Sequence, residues 1–337
     1  MAEEDRGKSF EALLSLLGGY RLSQAAYVVV RLGVADRLAD GPKEAVALAR
    51  ELEVDPDRLF RVLRALASAG LFTLDARGRV GLTATGELLR SDVPGSLAAF
   101  ALLQGEEGYR AFAELLHTVR TGETAFDHVF GMGHFDYLGA HPEASRVFHR
   151  AMSSSLGSAG DPLHGFDLAG HRVVVDVGGG RGTLLAGVLG AHPHLRGILF
   201  DLPSAVAGAP PFLAAAGVRD RVEIRTGSAF DQVPPGGDVY VLSRVLHDWP
   251  DAKAELLLRN CRKAVGEDGV VLVREIVLPE GTVPLPQVQR DLMMMVMNGG
   301  RERTEREWRE LLGRCGFALV GVRAGQGPDH LLVAEPC

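Results

Sequence analysis

The chain has 337 residues, 46% of them apolar and 23% charged. That length exceeds what one hydrophobic core usually holds and the composition excludes disorder, so two globular domains are expected. With 36 basic and 43 acidic side chains the net charge is -7, which argues against a nucleic-acid binder. Such proteins depend on neutralising phosphates. Three scattered cysteines (Cys261, Cys315, Cys337) form no C-x-x-C pair, so a disulfide framework and a structural zinc site are both unlooked for. The opening MAEEDRGKSF lacks the features of a signal peptide, and no uncharged apolar run approaches a membrane span. A cytoplasmic protein with no membrane partner is expected.

Residues 1–104 read as a helical domain. Phe10, Leu13, Leu14 and Leu17 share one helix face, and Tyr27–Leu32 is apolar but for Arg31. Lys43–Glu51 and Pro56–Ala69 read as short helices, the second with Asp55 as N-cap, Pro56 at its first position and Gly70 at its end. Leu71–Leu74 and Arg79–Leu82 around Asp75–Gly78 form a hairpin. The outline is a winged helix. A DNA reader would show a basic footprint, but residues 1–100 hold 13 basic and 14 acidic side chains. Arg58, Arg61 and Arg64 are read as a solvated helix face.

Residues 105–160 continue as a helical connector. The stretch TGETAFDHVFGMGHFDYL is rich in aromatics and glycines, as a pocket wall would be, and HPEASRVFHRAMSSS follows as a helix.

Residues 161–337 change pattern. Val173–Val177 is a β-branched run of the kind buried on both sheet faces. Gly197–Phe200, Val222–Thr226, Val239–Leu242 and Val270–Val273 repeat it, separated by helices near Thr183–Ala191, Ser204–Ala216 and Ala252–Val265. Alternating strand and helix predicts an open, mostly parallel α/β sheet. Ala318–Arg323 and Leu331–Ala334 bring it to seven strands.

The first of these strands runs into D-V-G-G-G-R-G, with Asp176 at its end and Gly178, Gly180 and Gly182 in the loop. Glycines let the backbone turn and approach a ligand closely, and the next helix offers free N–H groups. Asp201 ends the following strand, where a carboxylate can accept both hydroxyls of a ribose. The G-x-G-x-G spacing differs from the G-x-G-x-x-G of dinucleotide binders. S-adenosylmethionine therefore fits better than NAD.

Farther on, V-L-S-R-V-L-H-D-W-P-D places His247 past a strand end, over the same crevice. A histidine is suited to taking a proton near neutral pH, although alone it would more often cap a helix. Glu275 follows the next strand, and Glu302 precedes the helix Glu305–Arg314. Both acids can approach His247; each otherwise reads as an arginine partner or a solvated charge.

The segments VVVDVGGGRGTLL, FDLP, LSRVLHDWPDAKAELLLRNCRKA and GGRERTEREWRELLGRCGF together resemble the S-adenosylmethionine-dependent O-methyltransferases of the caffeic-acid type, bacterial natural-product branch. The resemblance spans nearly the whole chain. It implies a class I methyltransferase sheet behind a winged-helix dimerisation domain, hence a homodimer and a small hydroxylated substrate. It implies His247 as general base with Glu275 and Glu302 beside it and no metal. Asp176, Gly178, Gly180, Asp201, Leu202, Ser228, Ala229, Phe230, Ser243 and Arg244 would line the cofactor. Phe126, Phe130, His134, Phe135, Met152, Asp248, Met293, Met297 and Asn298 would line the substrate pocket, although for half of Met293–Met295 and Met297 a helix core is the better reading. Ser228 replaces the family's usual aspartate and Ser243 a common lysine, which changes the adenine surroundings and leaves the chemistry untouched. Two alternatives keep the fold outline: non-methylating chemistry with the same cofactor, and a ligand-sensing winged-helix regulator.

Overall fold

A computed structural model describes residues 3–156, 163, 165–325 and 329–337. The expected boundary at residues 160–161 lies outside them. The chain divides into two compact units, residues 1–110 with 141–157 and residues 111–140 with 158–337.

In the first unit the helix Glu3–Arg31 leads to the short helices Ala45–Glu51 and Pro56–Ser68. The Asp55 side chain accepts from the Arg58 N–H, satisfying one of the orphan donors of the Pro56–Ser68 helix. β2 (Phe72–Leu74) and β3 (Arg79–Leu82) form the expected hairpin. Lys43 and Glu44, read from sequence as the start of a helix, instead form β1, paired with β3 at Val80 and Arg79. Cross-strand pairing there replaces a helical turn. Val29, Leu48, Leu63, Leu66, Phe72 and Val80 make the core. The helix Pro142–Leu156 packs on Ala98–Leu103 around Ala99, Leu103 and Ala151.

The first helix leaves a long apolar face uncovered: Phe10, Leu13, Leu14, Leu16 and Leu17 are all more than half exposed. By length and composition Arg6–Arg31 is able to cross a membrane, but Glu11 and Arg21 lie within it.

The second unit is built on one sheet. β4 (Val173–Val177), β5 (Arg196–Asp201), β6 (Val222–Thr226), β7 (Val239–Ser243) and β8 (Val270–Leu278) are parallel, in the order β6-β5-β4-β7-β8. The short β9 (Arg303–Thr304) pairs with the end of β8. β10 (Phe317–Ala324) and β11 (Asp329–Pro336) complete the sheet, with β11 antiparallel between β8 and β10. Alternate residues feed opposite cores. Val175, Tyr240, Leu242 and Val273 face the helices Asp251–Ala264 and Glu305–Arg314, whereas Val174, Leu199, Val241 and Leu272 face Thr183–Ala191 and Ala209–Ala215. Burial on both faces is why these strands read as unbroken apolar runs. The chain winds outward from β4 to β6 and then returns to β7, so the crevice between the carboxyl ends of β4 and β7 is the expected ligand position.

The helix Glu305–Arg314 starts with a capping box. Thr304 Oγ1 accepts from the Glu307 N–H at 3.3 Å, and Glu307 Oε2 accepts from the Thr304 N–H at 2.9 Å. The box anchors the segment that carries Glu302. We expect Thr304→Ala to lower stability by about 1 kcal/mol, measured by urea denaturation. A change within error would mean that β9 alone holds the segment.

Candidate active site

At the end of β4, Gly178, Gly180 and Gly182 all adopt left-handed backbone conformations. A Cβ on Gly178 would lie 2.7 Å from Val245 Cγ2, so the loop touches the segment after β7, and only glycine fits. Above Gly180 there is open space. Its N–H donates to Asp201 Oδ2 at 2.8 Å, and the Leu202 N–H donates to Asp201 Oδ1 at 2.7 Å. These two bonds hold the carboxylate at the crevice and leave each oxygen a further lone pair. Burial pushes its pKa up. Asp176 is deeper: burial, with Asp201 nearby, pushes it up to about 7, and its Oδ2 has no partner among the described residues. The Ser243 Oγ is likewise buried and unpartnered. A glycine cradle, a poised carboxylate and orphaned polar atoms fit a ligand with a ribose and a cationic group.

Ser228, Ala229 and Phe230 form the loop after β6. The Ser228 hydroxyl accepts from the Phe230 N–H, and Asn260 Nδ2 donates to the carbonyls of Ala229 and Phe230. Phe230 meets Trp249 edge-on at 4.8 Å, and Trp249 also lies 5.3 Å from Phe135. Arg244 is engaged elsewhere. At φ 55° it donates twice from Nη2 to Asp329, at 2.7 and 2.8 Å, and Arg274 donates to the same carboxylate at 2.7 Å.

His247 is 5% exposed, Glu302 1% and Glu275 0%. The His247 Nδ1 lies 2.9 Å from Glu302 Oε1 and 3.6 Å from Glu275 Oε2. That geometry puts a proton on Nδ1 and turns Nε2 away from both acids. Glu275 also does something its place in the sequence did not suggest: its Oε1 accepts the N–H groups of Val245, Leu246 and His247 at 3.1, 2.9 and 3.3 Å. Burial by itself would lower the His247 pKa, but Glu275, Asp248 and Glu302 outweigh it and push it up to about 9. His247, Glu275 and Glu302 also bring one ligand atom each within 4.8 Å of one another, close enough to hold a metal ion.

A polar chain runs on from the base. Asp248 Oδ1 lies 3.8 Å from His247 Nε2 and accepts from Asn298 Nδ2 at 2.8 Å; Asn298 Oδ1 lies 2.9 Å from His134 Nδ1. Burial drives His134 down to about 4, so it is neutral, with Nδ1 the donor. Phe126 lies 4.8 Å from His134 with the rings tilted, stacks on Phe130 and meets Tyr137 edge-on, and Met293 and Met297 pack in the same cluster. Met297 is 5% exposed and Phe126 0%, so both form a core layer behind His134. Met152 belongs to the first unit, packed with Ala99, Leu103 and Phe148. The sequence reading missed Arg303, Asp329, Asn260 and Gly300. Arg303 adjoins Glu302 in R-E-R-T, which was its one available signal; Asp329 had none.

An open parallel sheet with a glycine cradle at its switch point and a buried imidazole over it defines a nucleotide-cofactor-binding α/β enzyme. The profile of the O-methyltransferase domain matches residues 112–318, and that of the O-methyltransferase dimerisation domain matches residues 14–92. A phenazine O-methyltransferase of Lysobacter antibioticus is 44% identical over 325 residues, covering 96% of this chain and 95% of that protein. The O-demethylpuromycin O-methyltransferase of Streptomyces alboniger is 41% identical, covering 97% and 89%. A phenazine-1-carboxylate N-methyltransferase of Pseudomonas aeruginosa is 34% identical, covering 92% of each. Among solved structures, a mitomycin 7-O-methyltransferase superposes with a TM-score of 0.95 at 34% identity over 100% of both chains. An O-methyltransferase of neocarzinostatin biosynthesis, solved with S-adenosylmethionine and 2-hydroxy-5-methyl naphthoic acid, gives 0.84 at 35% identity over 94% and 96%. The chain belongs to this O-methyltransferase family, and it is an S-adenosylmethionine-dependent methyltransferase of the kind found in bacterial natural-product biosynthesis. The regulator reading and the NAD reading fall with that.

Gly178→Ala introduces a Cβ where Val245 stands, and Asp201→Ala removes the anchor of the loop. We expect each to weaken S-adenosylmethionine binding at least several-fold, read by calorimetry. An unchanged affinity in both would move the cofactor away from this loop.

Proposed function

We propose that the protein methylates a hydroxyl of a flat, largely apolar small molecule, with His247 as the general base and no metal. One observation carries this reading: the imidazole of His247 is buried with Nδ1 fixed on Glu302, which leaves Nε2 as the one ring atom that can take a proton. Bound on the glycine loop, S-adenosylmethionine supplies a methyl group already activated by its sulfonium, so the protein must align the acceptor oxygen and remove its proton. Asp201, Gly178 and Gly180 hold the cofactor, with Ser228, Ala229, Phe230 and Ser243 around its adenosine portion. The Phe135–Trp249 pair supplies an aromatic wall, and Asp248, ordered by Asn298 and His134, offers an acceptor to a second polar group beside the reacting hydroxyl. Aligning acceptor and methyl group at about 3–3.5 Å supplies much of the rate. A phenolic proton, with a pKa of about 10, is close to the raised value of His247, so its transfer costs little. Glu275 and Glu302 then stabilise the imidazolium.

The reading favours a hydroxyl over a nitrogen acceptor. A neutral ring nitrogen has no proton to lose before attack and needs no buried base. Non-methylating chemistry would leave that base idle as well. The separation of 2.9 Å between His247 Nδ1 and Glu302 is that of a shared proton, which supports the metal-free reading. The uncovered apolar face of the first helix, which runs into the region 14–92 matched by a dimerisation profile, supports a homodimer.

His247→Ala should cut turnover about 10²–10⁴-fold with cofactor affinity nearly unchanged. A full rate per folded molecule would make His247 a structural residue. The pH dependence follows from the raised pKa. Below about 9 the imidazole stays protonated and cannot accept a proton, so turnover should rise with pH through that value. Glu302→Gln removes a charge that holds the proton, so the rise should move to lower pH and the plateau should fall. A rise unmoved by this substitution would assign the ionisation to another group. Chelation by EDTA should leave the rate intact; loss restored by a divalent ion would place a metal among His247, Glu275 and Glu302. Light scattering at micromolar concentration should give twice the chain mass, and a monomer would contradict the dimer.

A further inference from the structure

Arg303 is 1% exposed and takes no part in the chemistry described above. All five of its N–H bonds are used. Nη1 donates to the carbonyls of Leu246 and Arg301 at 3.2 and 3.3 Å, and Nη2 to the Trp249 carbonyl at 3.1 Å. Nε and Nη2 also donate to Asp251 Oδ1 at 3.2 and 2.8 Å. The guanidinium carbon lies 4.9 Å from the centroid of the buried Trp308 ring. With no donor left over, Arg303 has nothing to offer a substrate or cofactor.

Its carbonyl partners flank the base. The N–H groups of residues 245–247 end on Glu275, as described. The carbonyls of 246 and 249 end on Arg303, and the carbonyl of His247 accepts from the Arg301 N–H at 2.9 Å. Gly300 closes the contact: a Cβ there would lie 2.0 Å from the His247 carbonyl oxygen. Glu302 and Arg303 are consecutive, and neighbours in an extended segment project to opposite sides. One reaches the imidazole and the other the main chain around it, so the same dipeptide holds both.

We propose that Arg303 is a positioning residue that clamps Leu246–Trp249 so that Nδ1 of His247 stays on Glu302 and Nε2 faces the acceptor. The inference rests on the reading of His247 as the base, but its first test needs no turnover. Lysine carries a point charge, and its three N–H donors cannot replace five bonds spread over three carbonyls and a carboxylate. In Arg303→Lys, above about pH 9 where the ring is neutral, the 15N shifts of His247, assigned by their loss in His247→Asn, should move towards those of a mixture of tautomers. S-adenosylmethionine affinity by calorimetry should stay within about twofold. Turnover should fall about tenfold or more with a smaller change in acceptor KM, because a misplaced base costs rate rather than binding. Asp251→Ala removes only the outer anchor, at a side chain 45% exposed; it should show the same changes at smaller size even if Arg303→Lys fails to fold. Unchanged His247 ring shifts and unchanged turnover per folded molecule, whatever the melting temperature, would overturn the proposal. Shifted ring nitrogens in a protein that methylates no hydroxyl would uphold the clamp and refute the hydroxyl reading.

Discussion

The burial of two carboxylates beside one imidazole governs the second unit. Glu275 and Glu302 are removed from water, and an uncompensated buried charge is costly. The cluster therefore needs the proton on His247 Nδ1 and the main-chain N–H groups that Glu275 collects. That need fixes the path of residues 245–247, and with it the direction of Nε2. Removing either acid thus alters more than the basicity of the ring, because Glu275 is also the anchor of the loop bearing the ring.

The cofactor side follows a related constraint. Asp176 is a buried carboxyl and Asp201 a half-buried one, and both pKa values are raised, which costs stability in the empty protein. Asp201 recovers part of it from the N–H groups of Gly180 and Leu202, whereas Asp176 keeps a bare oxygen. Unpaired buried polar groups at a strand end mark a place shaped for a ligand rather than for the fold alone. Close contact between Gly178 and Val245 ties this cradle to the loop of the base, so the cofactor and proton-transfer sites share one backbone junction.

Arg244 shows how the neighbouring strands are tied. A left-handed conformation costs a residue with a side chain about 1–2 kcal/mol. It persists because Asp329 of β11 holds the guanidinium through two bonds and is itself held by Arg274 of β8. Against the upward push of burial, these arginines hold the Asp329 carboxyl below its ordinary range. The last strand thereby braces the segment leading to His247. In the first unit, by contrast, the long apolar face of Glu3–Arg31 has no cover within its own chain, and the excess of apolar residues there was visible in the sequence.

Features written within a few adjacent residues were determined by the sequence itself. The apolar runs of β4 to β8 announce strands buried on both faces. Glycines at 178, 180 and 182 supply the backbone conformations the loop requires, and Asp55-Pro56 and Thr304-x-x-Glu307 start helices by local hydrogen bonds. His247 and Glu302 could be named because each stands at an element's end, where a parallel sheet gathers its ligands, and Glu275 because the apolar run before it stops at Val273; β8 instead runs on to Leu278 and holds Glu275 within it. Contacts between distant residues were decided only by the tertiary structure. Arg244 meets Asp329 across 85 positions. Glu275 reaches back 30 positions to the Val245 N–H, and Lys43-Glu44 becomes a strand through its pairing with β3. Met297 turns out to be core behind His134. Local chemistry can specify an element and its ends, but which polar group satisfies which buried partner depends on strand order and packing, and no short stretch of sequence contains either.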